Sequence, residues 1–175
     1  MTEPAENYIP QFMAVRMRRQ AFSAWGAFSL LLLGWVLLIL AAPIALANGI
    51  ENISRPLYSF FSYICHQQPA RSLHIAGHQL GVCSRCTGVY FGLFLGFLVY
   101  PLWRRVEEID PLPRIWLFLA MAPIGIDWAL GMFEIWENTH LSRLITGAIL
   151  GFACATYIVP ALVEISRYLF LKEKR

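Results

Sequence analysis

From Ala21 to Ile50 the chain carries no charged residue, and the largely apolar run from Trp25 to Leu46 can cross about 30 Å of hydrocarbon at roughly 1.5 Å per residue. Two further uncharged runs follow. Thr87 to Trp103 ends at Arg104 and Arg105, and Leu144 to Val163 ends at Glu164 and Arg167. Between them, Ile115 to Trp136 has the length of a span but contains Asp127 and Glu134, which are costly in lipid unless they face protein or water. The pattern predicts an all-α polytopic membrane protein: a compact four-helix transmembrane bundle with spans at about 25–46, 87–103, 115–136 and 144–163. Residues 1–20, polar and containing Pro4 and Pro10, read as a flexible cytoplasmic tail. Residues 21–175 then form one membrane domain, with a loop from 47 to 86.

Polar positions refine this picture. In the loop, Ser54 is placed to cap a short interfacial or re-entrant helix from about Pro56 to Cys65, whose Tyr58, Phe60, Phe61 and Tyr63 suit a membrane interface. Gly88, Gly92 and Gly96 in the second span, and Gly147, Gly151 and Ala155 in the fourth, repeat every four residues, a spacing that lets helix backbones approach closely in lipid. On the third span Asp127, Gly131, Glu134 and Asn138 share one helical face, as do Arg143, Thr146, Gly147 and Cys154 on the fourth. The two stripes are expected to face each other or a cavity inside the bundle.

Composition agrees with the spans: 58% of residues are hydrophobic and 14% charged, with a mean hydropathy of +0.55. The net charge of +3 reflects topology rather than nucleic-acid binding. Ten of the fourteen Lys and Arg flank one side: Arg16, Arg18 and Arg19, then Arg104, Arg105 and Arg114, then Arg167, Lys172, Lys174 and Arg175. By the positive-inside rule both termini are cytoplasmic and the 47–86 loop faces outward. Ala45-Leu46-Ala47 has the form of a signal-peptidase site, but a run of at least twenty apolar residues exceeds a secretory core of roughly 7 to 15 and favours an uncleaved anchor.

The chemistry is concentrated in that loop. The block CHQQPARSLHIAGHQLGVCSRCTGVYFG, Cys65 to Gly92, holds three of the four cysteines and three of the four histidines. Cys83-x-x-Cys86 is spaced so that two thiolates can bind one ion. Cys65, together with one of His66, His74 or His78, of which His66 and His78 are the better candidates, could complete a tetrahedral set for zinc or another thiolate- and imidazole-binding metal. Neighbouring side chains diverge, so Cys65 and His66 do not easily share an ion. Two other readings compete. Cys83 and Cys86 could form a thiol–disulfide redox pair, resembling quinone-linked membrane disulfide oxidases but lacking their second exposed cysteine pair. Alternatively, Asp127, Glu134 and Arg143 could carry catalysis or transport, with Arg71, Arg85 and Arg143 holding a small anionic or lipid ligand.

The segments CHQQPARS, VCSRCTGVYFG and NTHLSRLITG, with Asp127 between the last two, resemble an uncharacterised family of small integral membrane proteins, a domain of unknown function. That family's pattern is C-H-Q-x-P-x-R-S, then V-C-x-R-C-T-G-x-Y-x-G, an intramembrane Asp, and N-x-x-x-x-R-x-x-T-G. The match spans about Cys65 to Gly151. It implies a membrane protein and supplies no reaction.

Overall fold

The computed structural model describes residues 11–173. In chain order it contains α1 (Gln11–Ala47), α2 (Glu51–Ser62), a 3-10 turn (Pro69–Arg71), a minimal antiparallel hairpin of β1 (His74–Ile75) and β2 (His78–Gln79), then α3 (Ser84–Trp103), α4 (Ile115–Met132) and α5 (His140–Glu173). Four of these helices, α1, α3, α4 and α5, are long and apolar enough to cross a membrane. The chain is an all-α polytopic membrane protein.

The tightest pair is α3 with α5, and its cause is the small-residue spacing. Both helices start at the same end and run parallel. A side chain on Gly88 would meet the Leu144 carbonyl, one on Gly92 the Ala148 backbone, and one on Gly151 the Val89 carbonyl. Gly96 lies against Ala155 and Phe152. Of the polar stripe read on α5, only Arg143 reaches a cavity that α4 also lines, through Trp128, Gly131 and Met132. Gly147 is pressed against the Arg85 and Val89 backbone of α3, while the Thr146 hydroxyl donates to the Ser142 carbonyl of its own helix at 2.8 Å.

Helix α1 packs on this pair through a core of Ala21, Leu32, Phe97, Tyr100, Val159 and Val163. Two prolines contribute carbonyls to the assembly. A proline has no N–H to give the residue four positions earlier, so that carbonyl is left without its helical partner. Pro101 frees Phe97, whose carbonyl accepts the Trp25 indole N–H of α1 at 2.8 Å. Pro43 frees Ile39, whose carbonyl accepts the Gly81 N–H of the loop at 3.4 Å. Breaks in two helices thus become joints between elements.

Helix α4 sits on the flank against α5, with Trp116, Phe118, Leu119 and Trp128 exposed, as suits a lipid-facing surface. Three of the boundaries that differ from the sequence expectation bear on packing or on the site. Helix α1 starts at Gln11, so the second half of the expected tail is helical; no Pro or Gly interrupts Gln11 to Trp25. Residues 1–10 of that tail lie outside the described residues. Helix α2 starts five residues before Pro56. Ser54 is therefore internal rather than a cap, and its hydroxyl donates to the Ala42 carbonyl at 2.9 Å, fastening α2 to α1.

The third difference changes the site. Helix α4 ends at Met132, and Glu134 takes a left-handed conformation at φ 54°. The Ile135 N–H returns to the Leu130 carbonyl at 3.1 Å, and the Phe133 N–H to the Ala129 carbonyl at 3.0 Å. Such closure ends a helix with an i to i−5 bond around one left-handed residue. Glu134 is consequently exposed and no longer continues the Asp127 face.

Candidate metal centre

The Cys65 sulfur, the Cys83 sulfur and the Cys86 sulfur all lie within 4.8 Å of one another. None is in a disulfide. They come from two segments, and each is positioned by local structure. Cys65 follows the end of α2, with its N–H bonded to the Phe61 carbonyl at 3.0 Å and its side chain buried among Ile39, Phe61, Leu80 and Val82. Cys83 is the residue preceding α3, and Cys86 lies in its first turn, so the C-x-x-C spacing returns both sulfurs to one side of the helix start.

Two hydrogen-bonded links hold the segments together. The Cys83 N–H donates to the Cys65 sulfur at 3.2 Å. Gln67, in a left-handed conformation at φ 46°, uses its amide Nε2 to donate to both the Tyr58 and Gly81 carbonyls, each at 2.8 Å. The hairpin is tied in as well, because the Tyr58 hydroxyl donates to the Gln79 carbonyl. Gln67 was not singled out as a site residue by side-chain chemistry, since an amide is neither a usual ligand nor a charge. Its role appears only when the loop is closed.

Of the three thiols, Cys83 is the one poised to carry negative charge, with Cys86 as its hydrogen-bond donor. The Cys83 thiol is lowered to about 5, chiefly by the hydrogen bond its thiolate accepts from the Cys86 thiol; burial opposes this, and bonds from the Cys86 and Arg85 amides and the Cys65 thiol assist. Thiolate is the form that binds metal and attacks disulfides. The start of α3 adds the positive end of a helix dipole. That helix start is fixed to the start of α5 by a 3.0 Å hydrogen bond between the Ser84 hydroxyl and His140 Nδ1.

The histidines divide differently. His66 is exposed and lines the same cavity as the three cysteines, but it does not join their cluster. His78 sits on β2 opposite Ile75, where the hairpin register keeps it out of the cluster and away from the cavity wall. Of the five expected ligands, three cysteines converge.

Beside the cysteines lies a cavity of about 550 Å³, open on one side. Its wall includes Arg71, Arg85 and Arg143, with Gln68 and Asn138, and carries no carboxylate. Asp127 stands behind the wall, buried. It accepts from the Arg85 guanidinium of α3 and, at 3.2 Å, from the Asn138 amide, which also donates to the Asp127 backbone carbonyl. Asn138 therefore meets Asp127 by folding back across the loop after α4, against Gly131, rather than by continuing a helix. Among the three residues expected to act catalytically, Asp127 is neutralised by Arg85, Glu134 is outside the cavity, and Arg143 reaches the wall without an ion pair among the described residues.

A family model described as "Predicted membrane protein (DUF2085)" matches residues 65–157, which run from Cys65 through the middle of α5. The chain belongs to this family. Similar proteins include the uncharacterized protein MJ1492 of Methanocaldococcus jannaschii, 38% identical over 119 residues that cover 67% of this chain and 76% of that protein. Another is an uncharacterized protein of Methanothermobacter thermautotrophicus, 35% identical over 105 residues, 59% of this chain and 93% of its own length. No solved structure matches. The family's matched region contains every lining residue of the cavity except Ile64, whereas α1 and α2 lie before the match.

Proposed function

We propose that Cys65, Cys83 and Cys86 bind one Zn²⁺-like ion through three thiolates, leaving a fourth position turned toward the cavity. The observation that carries this reading is the mutual approach of three free sulfurs within 4.8 Å. At a Zn–S distance of ~2.3 Å, tetrahedral ligation puts sulfurs about 3.8 Å apart, within that limit. A disulfide would use two sulfurs and leave the third odd; a metal uses all three. Metal sites with three protein ligands keep a position for water or substrate, and the open cavity supplies the room. Three thiolates, an ion and an amide N–H bonded to sulfur form a self-consistent set, since N–H donors to ligating atoms fix their orientation.

The cavity's remaining chemistry is cationic, and the anionic ligand expected at Arg71, Arg85 and Arg143 belongs in it. We place this end of the bundle on the outer face of the membrane from the one-sided distribution of Lys and Arg, with both termini cytoplasmic.

Elemental analysis of protein purified in detergent without chelators tests the metal. The expected result is about one metal ion per chain, lost in Cys83→Ser and in Cys65→Ser and retained in His78→Ala. A parent protein without stoichiometric metal overturns the reading. If intact mass then shows a Cys83–Cys86 disulfide, the thiol–disulfide reading takes its place.

A further inference from the structure

We infer that Arg71 and Arg143 form a clamp for a phosphate-type oxyanion in the cavity beside the cysteine cluster. This deepens the reading of the cavity as an anion site, and it stands whether or not the cysteines hold a metal.

The argument begins with charge. Three arginines line the cavity and no carboxylate does. Arg85 is already committed to Asp127, so that pair contributes no net charge. Arg71 and Arg143 have no ion-pair partner among the described residues, whose three ion pairs involve Arg55, Arg85 and Arg104. Two unneutralised guanidiniums therefore share one wall. A divalent ion with three thiolates carries about one negative charge, so the cavity stays net positive with metal bound.

Placing like charges together in a partly enclosed site is unfavourable without a counter-ion, because a low-dielectric wall strengthens their repulsion. Arg143 is only partly exposed and sits one turn into α5. Arg71 is exposed and closes the cavity from its solvent side, so the repulsion falls mainly on the partly buried Arg143. Guanidinium geometry matches oxyanions through paired N–H donors, and two guanidiniums from different segments suit a tetrahedral group with several acceptor oxygens better than a single planar carboxylate. The starts of α3 and α5, joined through Ser84 and His140, bring two helix N-termini to the same end and add to the positive field.

Such a phosphate has two sources, a soluble phosphate compound or a phospholipid headgroup. The second is compatible with an apolar groove of about 880 Å³ between α3, α4 and α5, lined by Leu119, Ile149 and Phe152 among others. On α5 the lining of that groove begins at Ile145, two residues past Arg143.

The test measures thermal unfolding of the full chain, first with inorganic phosphate in detergent and then in nanodiscs of phosphatidylcholine with or without phosphatidylglycerol. Parent, Arg71→Gln, Arg143→Gln and Arg143→Lys are compared, with metal content and helicity recorded for each. Stabilisation of the parent by phosphate, weakened roughly 10- to 100-fold in apparent affinity by either Gln variant and less by Arg143→Lys, supports a soluble ligand. Stabilisation only by phosphatidylglycerol, with the same variant ranking, supports a lipid headgroup. Absence of stabilisation by both probes in the helical parent overturns the clamp, as does equal stabilisation of parent and Gln variants. Loss of metal in the parent with stabilisation intact overturns the metal reading alone.

Discussion

Asp127 shows how one residue changes meaning when its neighbours are known. As a carboxylate in a predicted span it is a functional flag, because an ionisable group in lipid is expensive. In the folded chain it is 9% exposed and paired with Arg85, a side chain from a different helix. The pair supplies the polar tie that fastens the flanking α4 to α3. Removing one partner leaves the other uncompensated, whereas removing both can be nearly neutral. Asp127→Ala is therefore expected to destabilise the protein by about 3 kcal/mol, while Arg85→Met with Asp127→Leu recovers most of that loss. Unfolding in a graded SDS series measures both. A double variant as unstable as Asp127→Ala, or more so, would show that the pair does more than neutralise charge. Glu134 gives the opposite lesson. Its spacing from Asp127 fits a helical face, but spacing has meaning only while the helix lasts, and the left-handed turn at Glu134 ends it.

At the scale of elements, the four-residue glycine spacing was legible in sequence because close packing in lipid has few other solutions. Partner choice was not legible, since the repeat on α5 is equally compatible with α3 or α4. The contacts settle it: Gly92 and Gly151 face backbone across the α3–α5 seam, where any side chain must push the helices apart. Gly151→Val is expected to cost ~1–3 kcal/mol or more, the range for overpacking a tight site. Gly34 has nothing within 4 Å of where a side chain would begin, so Gly34→Ala is expected to be neutral or to stabilise by up to about 1 kcal/mol. The same SDS series separates the two. Cys83-x-x-Cys86 was likewise visible in sequence, and so was Cys65, whose sulfur lies within 4.8 Å of both others. His66 and His78 illustrate what spacing omits: the loop between Cys65 and Cys83 is long enough to bring many side chains together, and in the fold the three cysteine sulfurs meet while both histidines stay out of their cluster.

For the whole molecule, the open question with the largest consequence is which side of the membrane the cavity faces. The helices order the ends: the cavity lies where α3 and α5 begin, and Arg104, Arg114 and Arg167 lie at the opposite end, where Arg167 donates to the Glu107 carbonyl at 2.6 Å. Tyr63 is 88% exposed beside the cysteine segment and offers a reporter. In intact cells Tyr63→Cys is expected to react with a membrane-impermeant maleimide at a rate matching that in lysed cells. Labelling only after lysis would invert the topology and put the cysteines in a reducing compartment, where a metal is favoured over a disulfide even more strongly.

The sequence by itself determined that this chain spans a membrane four times, which family it belongs to, and that three of its cysteines cluster between the first apolar run and the start of the second. Hydropathy, length and short-range spacing carry that information, because each depends on residues close in the chain. Only the tertiary structure decided that three cysteines rather than a cysteine–histidine set converge. It likewise decided that Arg85 neutralises Asp127, that Arg71 and Arg143 stand on the cavity wall with no ion pair among the described residues, and that prolines at 43 and 101 turn freed carbonyls into joints. Those facts depend on which distant segments meet, and that is set by backbone approach along the α3–α5 seam and by where each helix stops.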